Sequence, residues 1–518
     1  MKILNNIMRY MALVLIVLSA NSCLEKFPGD AYEDKDWESI YDAEQELIGT
    51  YALMKSSALY SGYLTLLPDL QADLAYAVEG FSNTYGDIWQ WKLRSTTREI
   101  EAVYASLYTV IGQCNHYLAK YEKLRPELVS DAQIDALDSW TGEIYGIRAL
   151  CYSELIKCFC KAYPLTDSAE SDDEAAKKEL GVVLRTEYYK EETAKRSDLY
   201  DSWNLVFEDL SKAESMIDED EDSYNTVWFT RAAAYSLHAR AALYTGKWDE
   251  AVKYSTLIID SGDFRLADAS ANYTSDTDVL TGASRNLSYY QYLWDYDSSF
   301  EIILKVGFTT TSYGGSLGQV FHNYNRGSRL FYPDYTPANW VVNLYNSGDL
   351  RQSAFFAQQQ TGYSGYPDII VLMKYFGNRT FISSAIYHVN MPKVFRLSEQ
   401  YLIRAEAYCR KGRYSDASAD LTTLRKARFS GGNGSISVGE NNWLDQISDE
   451  RVRELYMEGF RLNDLKRWGR GFERTPQTMS LTEGSSLKIS ADDYRFVWPI
   501  PNHEIESPGT DLEQNFGY

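Results

Sequence analysis

The residues with the clearest chemical potential in this chain are aromatic. Trp89 and Trp91 stand two apart in a segment, Glu79 to Thr97, where Gly80, Ser82, Asn83 and Gly86 mark a loop that also carries Phe81 and Tyr85. On an extended backbone the two indoles point to the same side, about 7 Å apart. Flat rings so placed cover the apolar CH faces of sugar rings, while neighbouring polar groups take the hydroxyls. Tyr289, Tyr290, Tyr292, Trp294 and Tyr296 form a second cluster of the same kind. The candidate stacking residues are therefore Tyr85, Trp89, Trp91, Tyr290, Tyr292 and Trp294, with packing between helices as the competing role at each position. The chain holds 42 tyrosines and 12 tryptophans in 518 residues, more ring surface than a core of this size requires.

Catalytic groups are harder to assemble. Gly314, Ser316 and Gly318 spell GxSxG after a strand-like run. A nucleophile elbow also needs a helix directly after it, a sheet of alternating strands and helices, and a downstream acid and histidine. His322, His388 and His503 supply the residue type, but the alternation is missing, and a glycine-rich turn is the expectation. Neither HExxH nor a phosphate-binding glycine loop occurs. Carboxylates are abundant, so a pair suited to glycoside hydrolysis stays open as an alternative, because its separation is a three-dimensional property. The acids Asp218 to Asp222 lack the alternation and central glycine of a calcium loop and read as a solvated turn. No metal or cofactor is expected. A net charge of −22 repels nucleic acid and anionic headgroups.

The elements that must position these groups are mostly helical. Apolar spacing predicts helices over Asp42 to Leu59, Glu99 to Leu124, closed by Pro126, and Ile134 to Ala162. The acidic stretch Thr166 to Glu179 reads as an exposed loop. Two segments share one grammar: Ala239 and Ala242 precede Gly246, Trp248 and Ala251, as Ala405 and Tyr408 precede Gly412, Tyr414 and Ala417. This is the tetratricopeptide pattern of paired antiparallel helices. The two glycines lie 412 − 246 = 166 residues apart, so the pairs are expected inside a larger irregular unit and not in an uninterrupted solenoid. From Phe264 to Val394 Gly, Ser, Asn and Tyr dominate, with strand-like runs at Phe300 to Phe308 and Asp368 to Phe376. Long loops on a helical scaffold are a usual place for binding residues.

The N-terminus carries an address. Lys2 and Arg9 precede an apolar run, Tyr10 to Leu18, and Ser19, Ala20 and Ser22 lead into Cys23. This is a secretory signal with a cysteine at its cleavage point, too short to span a bilayer. Cys23 resembles the acylated cysteine of a bacterial lipobox, although Ala20 stands where leucine is commoner. Burial of acyl chains, about 0.8 kcal/mol per methylene, would hold the protein on a membrane. The remaining cysteines, Cys114, Cys151, Cys158, Cys160 and Cys409, are odd in number, without a CxxC pair, and read as buried thiols.

Tyr401 to Arg428 (YLIRAEAYCRKGRYSDASADLTTLRKAR), Glu450 to Gly471 (ERVRELYMEGFRLNDLKRWGRG) and Phe496 to Ile505 (FVWPIPNHEI) together resemble the C-terminal signature of the SusD/RagB family. The closing run Asp511 to Tyr518 is similar to that family's ending, with Phe516 in place of proline, and Ser507 stands before Pro508 where asparagine is usual. Leu24, Glu25 and Pro28 after the lipid cysteine, and Tyr104 to Asn115, agree.

The resemblance implies a mainly α fold: tetratricopeptide-like helix pairs as a scaffold, with long irregular loops and a few short strands. Residues 1–22 would be the lipoprotein signal peptide, 23–270 an N-terminal helical part with binding loops, and 271–518 a C-terminal part compact with it. It also implies a non-catalytic lipoprotein of the outer membrane, facing outward, that delivers oligosaccharide or polysaccharide to a SusC-like TonB-dependent transporter. Peptide capture of the RagB kind is the alternative, and a helical glycoside hydrolase a more distant one. Within the signature, Glu450 with Arg453, Glu458 with Arg461 and Asp464 with Arg467 are acid–base pairs three apart, read as local helix stabilisers worth about 0.2–0.5 kcal/mol each.

Overall fold

The computed structural model describes residues 36–518 apart from 167, 189–192, 219–222 and 481–482. The signal segment, Cys23 and most of the acidic run after Asp218 lie outside the described residues.

Eleven long helices carry the architecture: α1 (Ile40–Leu53), α2 (Tyr63–Gln71), α3 (Arg98–Leu124), α4 (Asp131–Phe159), α5 (Leu199–Met216), α6 (Arg231–Tyr244), α7 (Trp248–Ile259), α8 (Leu397–Arg410), α9 (Tyr414–Lys426), α10 (Trp443–Leu455) and α11 (Arg461–Trp468). Helices make up 47% of the fold. Their starts follow from local chemistry: Asp198 accepts from the Asp201 amide at 2.7 Å to open α5, and Thr230 accepts from Ala233 at 3.4 Å to open α6. In α3, Ile100, Val103, Tyr104, Leu107, Val110, Ile111 and Cys114 form one buried stripe at helical spacing.

The helices pack in a continuous order, α3 on α4, α4 on α5, α5 on α6, α6 on α7, α7 on α8, and α8 on both α9 and α10. The two tetratricopeptide-like pairs, α6–α7 and α8–α9, are thus direct neighbours in space despite their separation in sequence. Ala239, Ala242, Leu243, Ala251 and Tyr254 of the first share one apolar cluster with Ile403 and Ala407 of the second. Small residues on α6 and α8 let the axes approach closely. Gly246 and Gly412 take φ of +73° and +71°, the left-handed conformation that ends the first helix of each pair. The array is interrupted in sequence, as expected: the chain leaves it after α7, builds the loop region, and resumes stacking at α8, which brings the two pairs side by side.

The loop region is tied to the array by short strands. Ile302–Lys305 pairs antiparallel with Lys393–Arg396, Phe356–Gln360 with Asp368–Leu372, and Ala75–Ala77 with Tyr335–Pro337. The segment read as an acidic loop holds a short helix, Ala169–Ala176, whose start is capped by Ser168 accepting from the Ser171 amide. At the C-terminus Thr510–Asp511 runs parallel to Ala194–Lys195. Asn515 donates to the carbonyls of Phe159 (2.9 Å) and Trp498 (2.7 Å), and Tyr518 donates to Val497 (3.0 Å). Phe516 between them is 83% exposed, which explains how a side chain other than proline is accommodated there. The five described cysteines are free and buried, as expected.

The acid–base residues of the signature have a different role from the one expected. Glu450 does meet Arg453 at 2.8 Å and Asp464 meets Arg467 at 2.9 Å, but Glu458 instead takes Lys374 (2.7 Å) and Arg396 (2.8 Å), and Arg461 takes Asp73 (2.8 Å). These are buried tertiary contacts. Their centre is Glu454, 0% exposed, with Arg396 and Arg428 each at 2.9 Å from Oε1 and Arg351 at 3.1 Å from Oε2. Glu301 closes the ring from the strand Ile302–Lys305 side, 2.7 Å from Arg396 and 2.9 Å from Arg428. The network fastens the loop region to α10.

Candidate functional site

The rings selected from sequence fall on both sides of the protein surface. Trp89 and Trp91 are 0% and 1% exposed. Trp89 ends a four-residue helix, Gly86–Trp89, and Trp91 sits at φ +59°, so the backbone is not extended and the two indoles do not form a shelf. Trp89 Nε1 donates to the Ala75 carbonyl at 3.0 Å and Trp91 Nε1 to the Gln71 carbonyl. Tyr290 and Trp294 are also interior, at 0% and 2%. Lys374, Lys393 and Arg396 stand 4.0, 4.7 and 5.2 Å from the Trp294 ring, and Arg428 stands 4.4 Å from Tyr290. Those faces are occupied by cations of the buried network, so the assignment of these four rings to ligand stacking is corrected to packing.

Tyr85 and Tyr292 remain half-buried. Tyr85 meets Tyr63 edge-on at 5.7 Å. Tyr292 stacks on Tyr296 with centroids 4.5 Å apart and planes at 15°, and Tyr273 meets it edge-on at 4.7 Å. Tyr273 is 44% exposed, giving this cluster of tyrosines an aromatic outer face.

The concave aromatic surface lies in the same loop region, at positions not selected from sequence. A cleft of about 330 Å³ is lined by Val279, Leu280, Gln319, Tyr324, Phe376 and Tyr387, with Arg326, Ile382 and His388 completing it. Tyr324, Phe376 and Tyr387 are half-buried, while Gln319 and Arg326 are exposed. Phe331 anchors the floor, 4.7 Å from Tyr324 and 6.2 Å from Phe376. The Arg326 guanidinium lies 3.5 Å from the Tyr387 ring centroid. Next to the cleft, Tyr363 sits 5.9 Å from Tyr332, and Tyr366 donates to Glu79 at 2.7 Å. Rings set beside an amide, a guanidinium and phenol hydroxyls match a ligand with apolar faces and many hydroxyls.

Two histidines at the cleft are structural. His322 and His388 stack at 5.1 Å with planes at 16°, and His322 Nε2 contacts the Leu372 carbonyl at 2.6 Å. Burial lowers His322 to about 3 and His388 to about 4, so both are neutral at pH 7. Ser316 Oγ donates to the His388 backbone carbonyl at 2.7 Å and not to a ring nitrogen. A β-carbon at Gly318 would collide with the Tyr375 carbonyl, which accounts for that glycine without a nucleophile. The GxSxG segment is irregular backbone with a bend at Leu317 and Gly318 that leads into a four-residue helix, Gln319–His322. Among the described residues no group of three or more His, Cys, Asp or Glu could hold a metal ion, and no helix is long and apolar enough to cross a membrane.

Comparison with known proteins adds to this geometry. A family model described as "Starch-binding associating with outer membrane" matches residues 21–243, and one described as "SusD family" matches 353–518. The starch-binding protein SusD of Bacteroides thetaiotaomicron is 26% identical over 486 residues, covering 82% of this chain and 79% of that protein. A solved SusD superfamily structure from the same species superimposes with a TM-score of 0.75 at 22% identity, over 92% of this chain and 99% of that one. Surface glycan-binding protein A of Bacteroides fluxus gives 0.66 at 20% identity, over 93% and 100%.

Proposed function

The chain belongs to the SusD/RagB family, and on that premise we propose that it is a cell-surface lipoprotein that binds oligosaccharide and presents it to a SusC-like TonB-dependent transporter. SusD family binding proteins are non-catalytic. Starch binding by the Bacteroides thetaiotaomicron relative supports a glycan as the ligand class. Cys23 would carry the acyl anchor to the outer membrane, and outer-membrane association stands in the description of the matching family model.

The observation that carries the reading is the cleft of Tyr324, Phe376 and Tyr387 with Gln319 and Arg326 at its edge. Half-buried Tyr324 and Phe376 rest on Phe331, and half-buried Tyr387 lies against the Arg326 guanidinium. The aromatic face around Tyr292 and Tyr273 is a second contact surface for a longer chain, with the hairpin 272–288 between the two.

The test is a glycan and peptide array probed with the mature chain, followed by titration of the glycan that binds. Replacing both Tyr324 and Tyr387 with alanine should weaken that glycan by about thirtyfold or more, equivalent to about 2 kcal/mol of lost apolar contact. The urea midpoint should stay within about 0.5 kcal/mol equivalents, because both rings are half-buried. Unchanged affinity in the double variant would remove the cleft from the reading, and retention on peptides alone would replace the glycan.

A further inference from the structure

A pocket larger than the aromatic cleft stands elsewhere in the fold. It measures about 460 Å³ and opens where the C-terminal end of α1 meets α4, the strand Ile302–Lys305 and the loops around 227 and 308. Its wall is mostly apolar, with Ile48, Tyr51, Met54, Val227, Trp228 and Phe308. A cavity of this size, mostly apolar with few polar groups, has the make-up of a small-molecule site. Two of its apolar walls reach the surface, Ile48 at 42% exposure and Trp228 at 45%. Trp228 rests edge-on against Tyr51 at 4.9 Å, so the indole is fixed on one side and open on the other.

Charge makes the pocket selective. The chain has 73 acidic and 51 basic residues, yet the only ionisable carboxylate or ammonium side chains lining this pocket are Lys55 and Lys305. The Lys305 ammonium is engaged by Asn225 Oδ1 at 2.8 Å and the Asp297 carbonyl at 2.7 Å. Lys55 donates to Ser312 Oγ at 3.0 Å and has no carboxylate partner among the described residues. In a protein of this net charge, a half-buried, acid-free cation beside an apolar cavity attracts a negative head. Glu44 and Glu143 line a neighbouring cleft that shares Ile48 and Trp228, Glu143 accepts from the Tyr51 hydroxyl, and the Asp297 carboxylate acts on Lys305 and not on Lys55.

We propose that this pocket is a second ligand site, separate from the aromatic cleft, that takes an amphipathic monoanion: an aliphatic tail among Ile48, Met54, Val227, Trp228 and Phe308, with a carboxylate at Lys55 and Ser312. Each methylene of the tail buried against this wall strengthens binding through the hydrophobic effect. The head supplies the selectivity over neutral chains of equal length.

The experiment uses the whole mature chain carrying Cys23→Ser, so that no acyl group of its own competes. Dodecanoate, dodecanol and dodecyltrimethylammonium are titrated below their micellar concentrations by calorimetry, with tryptophan emission as a second readout. Dodecanoate is expected to bind at one site, at least tenfold more tightly than dodecanol, and to shift the emission of Trp228. Lys55→Glu should lower dodecanoate affinity by tenfold or more and favour the cationic probe. Ala52→Trp, at an exposed helical position lining the pocket, should abolish binding of all tails while leaving the circular dichroism unchanged. Equal affinity for dodecanoate and dodecanol, no binding of either, or binding that survives Ala52→Trp would each overturn the proposal.

Discussion

Glu454→Ala should lower folding stability by about 3–5 kcal/mol, the cost of removing one partner from a buried ionic cluster. The side chain is fully buried and touches only cations: Arg396, Arg428 and Arg351 within 3.1 Å. Around it are the acids Glu301, Asp349, Glu450 and Glu458 and the bases Lys374, Arg425 and Arg453. The cluster therefore holds five acids against six bases, and deleting Glu454 leaves four against six in the same dry volume. Desolvated guanidinium groups with an unmatched charge make that state expensive. Urea unfolding followed by tryptophan fluorescence measures the loss. A cycle with Arg428→Ala tests whether the residues act as a unit. The double variant should be less destabilised than the sum of the singles by about 0.5–3 kcal/mol, and simple additivity would show that Glu454 and Arg428 are uncoupled.

The same carboxylates set the acid limit of the fold. The surrounding guanidinium groups, overcoming burial, hold Glu450 down to about 2 and hold Glu454 lower still. An unfolded glutamate titrates near 4.3. A depressed folded value means that the stabilisation is complete above that pH and is lost as pH falls toward 2. Asp69 works in the opposite direction: burial raises it to about 7, so its contribution improves as pH drops from 7 toward 4. Acid unfolding should therefore begin below pH 4, and a midpoint above pH 5 in an equilibrium circular-dichroism titration would contradict this account.

The helices were legible in the sequence because apolar residues recur with the helical period. Glu99 to Leu124 is observed as Arg98–Leu124. The turn glycines Gly246 and Gly412 were legible for a local reason too, since only a left-handed residue ends those helices cheaply. The stacking of α7 on α8 was not, because it depends on where a loop region of more than a hundred residues returns the chain. The binding surface shows the same division. Trp89 and Tyr387 both lie in segments rich in small and polar residues, and nothing local distinguishes them. Trp89 is buried in an apolar cluster with Leu66, Leu70 and Tyr335, and Arg474, 385 residues further on, caps it with its guanidinium 4.7 Å from the ring and its Nη1 donating to the Trp89 carbonyl at 2.6 Å. The stretch 264–394, rich in Gly, Ser, Asn and Tyr, is where the proposed cleft of Tyr324, Phe376 and Tyr387 lies, and the fold chose which of its rings are buried.

Arg474 gives the sharpest test of that division. It is 1% exposed and forms no carboxylate ion pair among the described residues. Its guanidinium donates to backbone carbonyls instead: Ala72 at 3.0 Å, Gln71 at 2.8 Å, Leu70 at 3.1 Å, Trp89 at 2.6 Å and Gly484 at 3.2 Å. Its carbon centre also lies 4.7 Å from the Trp89 ring. Burial lowers the group to about 10, still well above neutrality, so the cation persists, held by carbonyl dipoles and by the charge of nearby Asp73. Arg474→Ala would leave several interior carbonyls without donors, each costing about 1–3 kcal/mol where water cannot enter. A total loss of about 3–5 kcal/mol is expected, with a red shift in emission as Trp89 and Trp91 meet solvent. Arg474→Lys should recover part of it, since an ammonium has three donors but cannot span five carbonyls in one plane. Glycan affinity per folded molecule should be unchanged in Arg474→Lys, in contrast to the Tyr324 and Tyr387 double variant, which loses affinity while keeping its stability. If Arg474→Lys weakened binding as much as the loss of those tyrosines, the indoles of the 79–97 segment would belong to the ligand surface after all, and the cleft around Tyr387 would not be the whole of it.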